Sequence, residues 1–201
     1  MRVGLDLRGL ADVGQMRTLA AEAEQLGLWA VLVGATPGTE VLDAVTVARA
    51  TSAVAVAVFV DGHTAHPTTI AEEIAVLDHL SRRRALAVVD ADEPTVDHVR
   101  RLLHAEIVDG FALAPPPAQT AMPVWSASEV AVAELGDDLV AGRSVIDARR
   151  DAGCTHLFVR WSGELQPLAR HLATRAAGPD FPQIVADMAD VVDPSPPTGE
   201  I

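Results

Sequence analysis

The chain has little with which to cross-link, stack or attract an anion. Cys154 is the only cysteine among 201 residues. No disulfide framework can form within the chain, and a reducing cytoplasm is the natural setting. Between Gly153 and an apolar run, this cysteine reads as a small buried hydrophobe rather than a nucleophile. Tyrosine is absent and aromatics make up 3% of the sequence, so the 49% of hydrophobic residues are largely Ala and Val and imply a fine-grained core. Cations are few: 15 Lys and Arg against 28 Asp and Glu leave a formal charge of −13. That balance excludes an electrostatic nucleic-acid binder. The one basic run, Arg82-Arg83-Arg84, reads as a solvated helix end. No apolar run reaches membrane-spanning length and no signal peptide precedes the first strand, so no membrane partner is expected.

What is present is most legible between His66 and Asp92. Pro67 and Thr69 mark a helix start, with Glu72 three residues after Thr69, at the spacing of a capping box. Ile70, Ile74, Leu77 and Leu80 then recur at helical spacing and predict one buried stripe. The Arg run follows where cations suit the negative helix end. Ala85 to Val89 is wholly apolar, as for a strand covered on both faces.

The same alternation runs along the chain. Arg2 to Leu7 reads as a strand, and Asp12 caps a helix whose inner face is Met16, Leu19, Ala23 and Leu26. Leu28 to Val33 is a strand, Val41 to Ala50 a helix, and Ala53 to Val60 the strongest strand. Thr95 to His104 is a helix, and Val108 to Phe111 a turn or small hairpin. Three prolines, Pro115 to Pro117, exclude a central strand there. Met122 to Trp125 resumes the strand pattern. Ser126-Ala127-Ser128 is read as opening a helix to Leu135, followed by a short strand from Asp138 to Ala141. Ser144 caps a helix ending at Gly153, His156 to Trp161 is a strand, and Leu165 to Ala176 carries helical spacing stopped by Gly178-Pro179. Phe181 to Val192 reads as a last amphipathic helix, and residues 193–201 as a disordered tail.

About seven strand-then-helix repeats demand a parallel sheet. No GxGxxG or Walker pattern follows the first strand, which disfavours a nucleotide-binding open sheet. The expectation is therefore one domain over residues 1–192, a small TIM-barrel-like (β/α)8 fold with incomplete closure. About 250 residues is typical of that fold, and no eighth strand is visible.

Several segments, in order, resemble the bacterial luciferase-like monooxygenase family of flavin- or deazaflavin-dependent barrels. They are Ala21-Glu22-Ala23-Glu24-Gln25-Leu26-Gly27 running into Trp29-Ala30-Val31-Leu32-Val33-Gly34, then Ala48-Arg49-Ala50-Thr51-Ser52. His66-Pro67 follows, leading through Ala71-Glu72-Glu73 to Leu77-Asp78-His79-Leu80-Ser81 and Arg84. Pro123-Val124-Trp125-Ser126 comes last, with Gly136-Asp137 soon after. The likeness covers roughly residues 1 to 165. It implies an oxidoreductase, a monooxygenase or a hydride-transfer enzyme, with FMN or a deazaflavin coenzyme, a small organic substrate and a homodimer. The departures point the other way. Ala35-Thr36-Pro37-Gly38 stands where family enzymes often carry a polar set, and Asp90, Asp92 and Glu93 crowd a place near the cofactor. The usual covering insertion is also missing. The alternative is thus a degenerate, non-catalytic barrel without cofactor, acting as a structural or interaction protein.

A parallel barrel carries its functional groups at the C-terminal ends of its strands. Asp6, Gly34, Asp61, His63, Asp90, Ser126 and Arg160 fall near such ends. Ser126 and Ser128 are phosphate candidates, since hydroxyls and free N–H groups at a helix start favour an anion; the family uses this place for cofactor phosphate, and plain N-capping is the competing use. Asp6 and Gly34 are the other cofactor-binding candidates, and His63 is the catalytic candidate, as proton donor. His66 reads as structural, and Trp125 and Trp161 as core or contact aromatics. The two histidines have no acidic or Cys partner at ligand spacing, so no metal is expected.

Overall fold

The computed structural model describes residues 1–34 and 38–176. Strands and helices alternate through them as β1 (Arg2–Asp6), α1 (Val13–Gln25), β2 (Ala30–Val33), α2 (Glu40–Ala50), β3 (Ala55–Asp61), α3 (Pro67–Ser81), β4 (Ala85–Asp90) and α4 (Glu93–Leu103). A long connection leads to β5 (Val124–Ser126), a single 3₁₀ turn (Ala127–Glu129), β6 (Ala131–Gly136), α5 (Leu139–Asp151), β7 (His156–Trp161) and α6 (Leu165–Ala176). The expected helix at Phe181 to Val192, the disordered tail and the Ala35-Thr36-Pro37 departure lie outside the described residues. No described helix is long and apolar enough to cross a membrane.

All ladders are parallel, in the order β5-β4-β3-β2-β1-β7-β6. The sequence order is thus that of a barrel, β1 to β5 on one side and β6, β7 back to β1 on the other, with a seam between β5 and β6. The sheet curls. Trp125 on β5 and His156 on β7 lie five strand spacings apart along the ladders, about 24 Å in a flat sheet. Their ring centroids are 5.5 Å apart. The fold is therefore a small, incomplete TIM-barrel-like α/β barrel. At the seam, Glu129 accepts the Ser126 N–H at 2.6 Å and Arg100 Nε reaches the Val124 carbonyl at 3.5 Å. These contacts blunt the open edge of β5.

Side-chain alternation builds two apolar layers. Residues such as Leu5, Val31, Val58, Val89 and Val159 face the helices and meet Met16, Ile70, Ile74 and Leu77. The concave face is smaller: Ala30, Leu32, Ala57, Leu86 and Val88 pack round the wholly buried Phe158. Gly4 makes room for that ring. A Cβ there would lie 2.7 Å from Phe158 Cε1 and 2.8 Å from the Ala30 carbonyl oxygen.

Local signals explain most helix starts. Asp12 caps α1 by accepting the Gly14 N–H, Asp92 caps α4 through Thr95, and Asp138 caps α5 through Val140. The cap of α3 is His66, whose Nδ1 accepts the Thr68 N–H at 3.3 Å, with Pro67 at the first helical position. Thr69 lies inside the helix, so the expected capping box is displaced. Leu80 leaves the buried stripe and is 50% exposed.

Three further expectations are corrected. Residues 126–135 form one 3₁₀ turn and then β6, and 138–141 cap and open α5 instead of forming a strand. Pairing of Ala131–Glu134 with Leu157–Arg160 overrides the helical preference of an Ala- and Glu-rich stretch. Arg84 is not a solvated helix end. Its guanidinium donates to the carbonyls of Ser81, Val54, Ala48 and Thr51 and to Thr51 Oγ1, stapling α2 to the start of β3. Buried Asp78 accepts both the backbone N–H and the side-chain amide of Gln119, fixing the α4–β5 connection to α3.

Candidate functional site

At the C-terminal end of β1 the strand delivers a carboxylate into the curl of the sheet. The Asp6 side chain is wholly buried. It accepts the Arg8 backbone N–H, Arg8 Nε and Arg8 Nη2, each at 3.0 Å, and Arg160 Nη2 from β7 at 3.0 Å. The Arg8 guanidinium lies 4.4 Å over the Phe59 ring of β3, a cation–π contact across the mouth. Arg160 Nη1 donates to Glu134 on β6. Two cations and two carboxylates thus close on one another with no net charge, and a buried charge of either sign has its partner.

One donor is left over. Arg160 Nε is buried and has no hydrogen-bond partner. Beside it the chain has Gly9, where a Cβ would lie 3.5 Å from that nitrogen. Arg160 and Gly9 line a cavity of about 420 Å3 with Leu10, Leu19, Glu134 and Trp161. This is the size range of small-molecule and cofactor sites.

The other sequence candidates stand apart from this cluster. His63 is exposed on the turn after β3, and its N–H donates to Asp61 Oδ1 at 2.9 Å. Asp92 is held below the usual carboxylate range, first by its hydrogen bonds to Thr95 and further by the charge of His63. Two of the three carboxylates at the exit of β4 are thereby explained: Asp92 is a helix cap and Glu93 lies in the first turn of α4, where negative charge is favoured. Gly34 has φ 108°, and a Cβ would fall 2.3 Å from the Phe59 carbonyl oxygen. Its bare backbone serves the close approach of β2 to β3. Ser126 and Ser128 share a hydroxyl contact of 2.7 Å, the Ser128 N–H meets Ser126 Oγ, and the Ser126 N–H meets Glu129. These groups form a complete capping box on a three-residue turn. Asp6 and Ser126 sit four strands apart in the sheet order. Among the described residues no group of three or more His, Cys, Asp or Glu side chains could hold a metal ion.

Two members of the mouth cluster, Arg8 and Glu134, escaped the sequence. An Asp-x-Arg at a strand end is a weak signal for Arg8. Glu134 was hidden by the helical reading of its segment.

The fold and the polar mouth together define a class: an opened parallel α/β barrel with its candidate site at the C-terminal ends of β1, β6 and β7. No protein-family profile and no curated sequence matches the chain. Among solved structures, the monooxygenase RslO1 from Streptomyces bottropensis is similar over 78% of this chain, at 19% identity and a TM-score of 0.50. The oxygenating constituent of 3,6-diketocamphane monooxygenase from the CAM plasmid of Pseudomonas putida, a type II Baeyer-Villiger monooxygenase in complex with FMN, is similar over 88%, at 14% identity and a TM-score of 0.50. A coenzyme F420 dependent tetrahydromethanopterin reductase from Methanopyrus kandleri covers 67% at 16% identity, with a TM-score of 0.46. At these identities the likeness is one of fold. The chain spans 59% of the length of the first structure and 61% of the second.

Proposed function

We propose that the chain is a luciferase-like oxidoreductase barrel that holds a flavin-type ring, from FMN or a deazaflavin coenzyme, in its C-terminal mouth. The observation that carries this reading is the cavity of about 420 Å3 at the C-terminal ends of β1 and β7, lined by Gly9, Glu134, Arg160 and Trp161. The residues present fit the polar edge of such a ring. The partly exposed Arg160 guanidinium would donate to a ring carbonyl through an Nη hydrogen. The largely exposed Glu134 would accept a ring N–H, and Leu10, Leu19 and Trp161 would cover apolar surface. Asp6 acts as a positioning residue, fixing the Arg160 plane through Nη2. The mouth is charge-neutral, so it suits the uncharged ring better than the phosphate. Ser126, Ser128 and Gly34 are assigned here to capping and backbone approach. Bound there, the cofactor would supply the redox chemistry, oxygen activation by reduced flavin or hydride transfer from a reduced deazaflavin to a small organic substrate. His63, exposed on the turn after β3 and outside the lining of this cavity, would donate the proton only to a substrate that extends toward β3. We place the protein in the cytoplasm, in keeping with its single cysteine. A homodimer contact is proposed on α2 and α3, where Leu42, Val76 and Leu80 are exposed.

A second reading, a barrel that takes no cofactor, is favoured by one observation: Arg8 already covers the Phe59 face. Fluorescence titration decides between them. Quenching of FMN or deazaflavin emission with saturation below about 1 mM supports the first reading. No saturation with either supports the second.

A further inference from the structure

The opposite end of the sheet holds a second cavity, of about 350 Å3, at the N-terminal ends of β6 and β7. Trp125, Glu129, Val130, Cys154, His156 and Phe158 are among its walls. Trp125 and His156 have ring centroids 5.5 Å apart, and Trp29 lies 6.0 Å from Trp125 and 4.8 Å from His156. The whole chain has three Trp and four Phe, so two Trp and one Phe round a single His is a marked concentration. Core packing accounts for Phe158, which is wholly buried. Trp29 and Trp125 pack against the same concave layer, yet Trp125 and His156 stay half-buried and line the cavity.

The polar groups narrow the ligand. His156 Nδ1 meets Thr155 Oγ1 at 3.1 Å, which leaves Nε2 as the ring's other polar atom. Burial, followed by the charges of Arg2 and the N-terminus, pushes the His156 pKa down and favours a neutral imidazole that both donates and accepts. The facing charges are Glu129 at the rim, paired to Arg100 at 3.7 Å, and Arg2, whose guanidinium lies 5.8 Å from the Trp29 ring centroid. The N-terminus adds a second cation near His156, and Arg100 offsets Glu129, so charge does not select the sign of the ligand here. Indole faces beside a neutral imidazole suit a flat ring with a nitrogen that hydrogen-bonds.

We infer that this cavity is a second binding site, for a planar nitrogen heteroaromatic ring, seated against Trp125 with its nitrogen at His156. The site is separate from the C-terminal mouth and does not depend on a cofactor there.

Quinoline is a suitable probe, titrated into the full chain with intrinsic tryptophan fluorescence and the histidine ring signals in NMR as readouts. Saturable quenching below about 1 mM is expected, with a shift of the His156 ring signal. Trp125→Leu should weaken quinoline by about tenfold, the scale of one aromatic contact. Arg160→Met, in the other mouth, should leave its affinity unchanged, so the two sites fail or succeed independently. If Trp125→Leu loses its far-UV circular dichroism, the His156 shift on the unaltered chain decides. No saturation or no His156 shift overturns the inference.

Discussion

Arg160 on β7 donates to Asp6 on β1 across 3.0 Å, and the Asp6 side chain has no exposed surface. Arg8 binds the same carboxylate through Nε and Nη2. Removing the carboxylate leaves two cations facing each other. Asp6→Ala is therefore expected to cost about 3 kcal/mol of stability, with a smaller loss for Asp6→Asn. Urea unfolding at neutral pH measures both. A loss below about 1 kcal/mol for Asp6→Ala would mean that the mouth cluster holds nothing together.

Glu24 on α1 reaches the turn before β3. Its carboxylate accepts the N–H groups of Ser52, Ala53 and Val54 and the Ser52 hydroxyl. Its pKa is lowered to about 2: partial burial raises it, and the hydrogen bonds outweigh that effect. A carboxylate depressed on folding adds stability that is fully present above its unfolded value of 4.5 and fades as pH falls toward about 2. Glu24→Gln should flatten the stability profile across that window and cost about 1 kcal/mol at pH 7. Parallel profiles for the two proteins would refute this.

The concave layer tolerates no atom at Gly4. Gly4→Ala drives a Cβ against Phe158 and against the Ala30 carbonyl. A destabilisation of about 2 kcal/mol or more is expected, since added methylenes in a packed core typically cost 1–3. Phe158→Leu in the same chain should recover only part of it, because the backbone oxygen stays. Full recovery would show that the ring alone sets the limit.

The proposed dimer face predicts a change of mass. Val76 and Leu80 are each 50% exposed on α3, and Leu42 on α2 is 64% exposed. Val76→Glu with Leu80→Glu should convert a dimer to a monomer in sedimentation, with the far-UV spectrum unchanged. A monomer before substitution removes the proposal.

Where the sequence was legible, local chemistry and tertiary structure agreed. Asp12 caps its helix, and Ile70, Ile74 and Leu77 are buried, as their spacing required. It misled where the two disagreed. The serine, glutamate and alanines from Ser126 to Leu135 carry a true capping box, yet the helix stops after one turn because the next residues pair with β7. Arg84 looked solvated because a basic run says nothing about which carbonyls lie within reach. Of the candidate site, Asp6 and Arg160 were visible as strand-end residues. Their partnership was not, since 154 residues separate them and only the β1–β7 ladder brings them together.

The central claim is that Arg160 reads the ring of a flavin-type cofactor and not its phosphate. Titrating riboflavin and FMN, which share the ring and differ in the phosphate, into the unaltered protein and into Arg160→Met tests this most directly. The account predicts affinities within about threefold of each other for the unaltered protein, both falling about tenfold or more on substitution. Binding of FMN without riboflavin, or of neither, would contradict it.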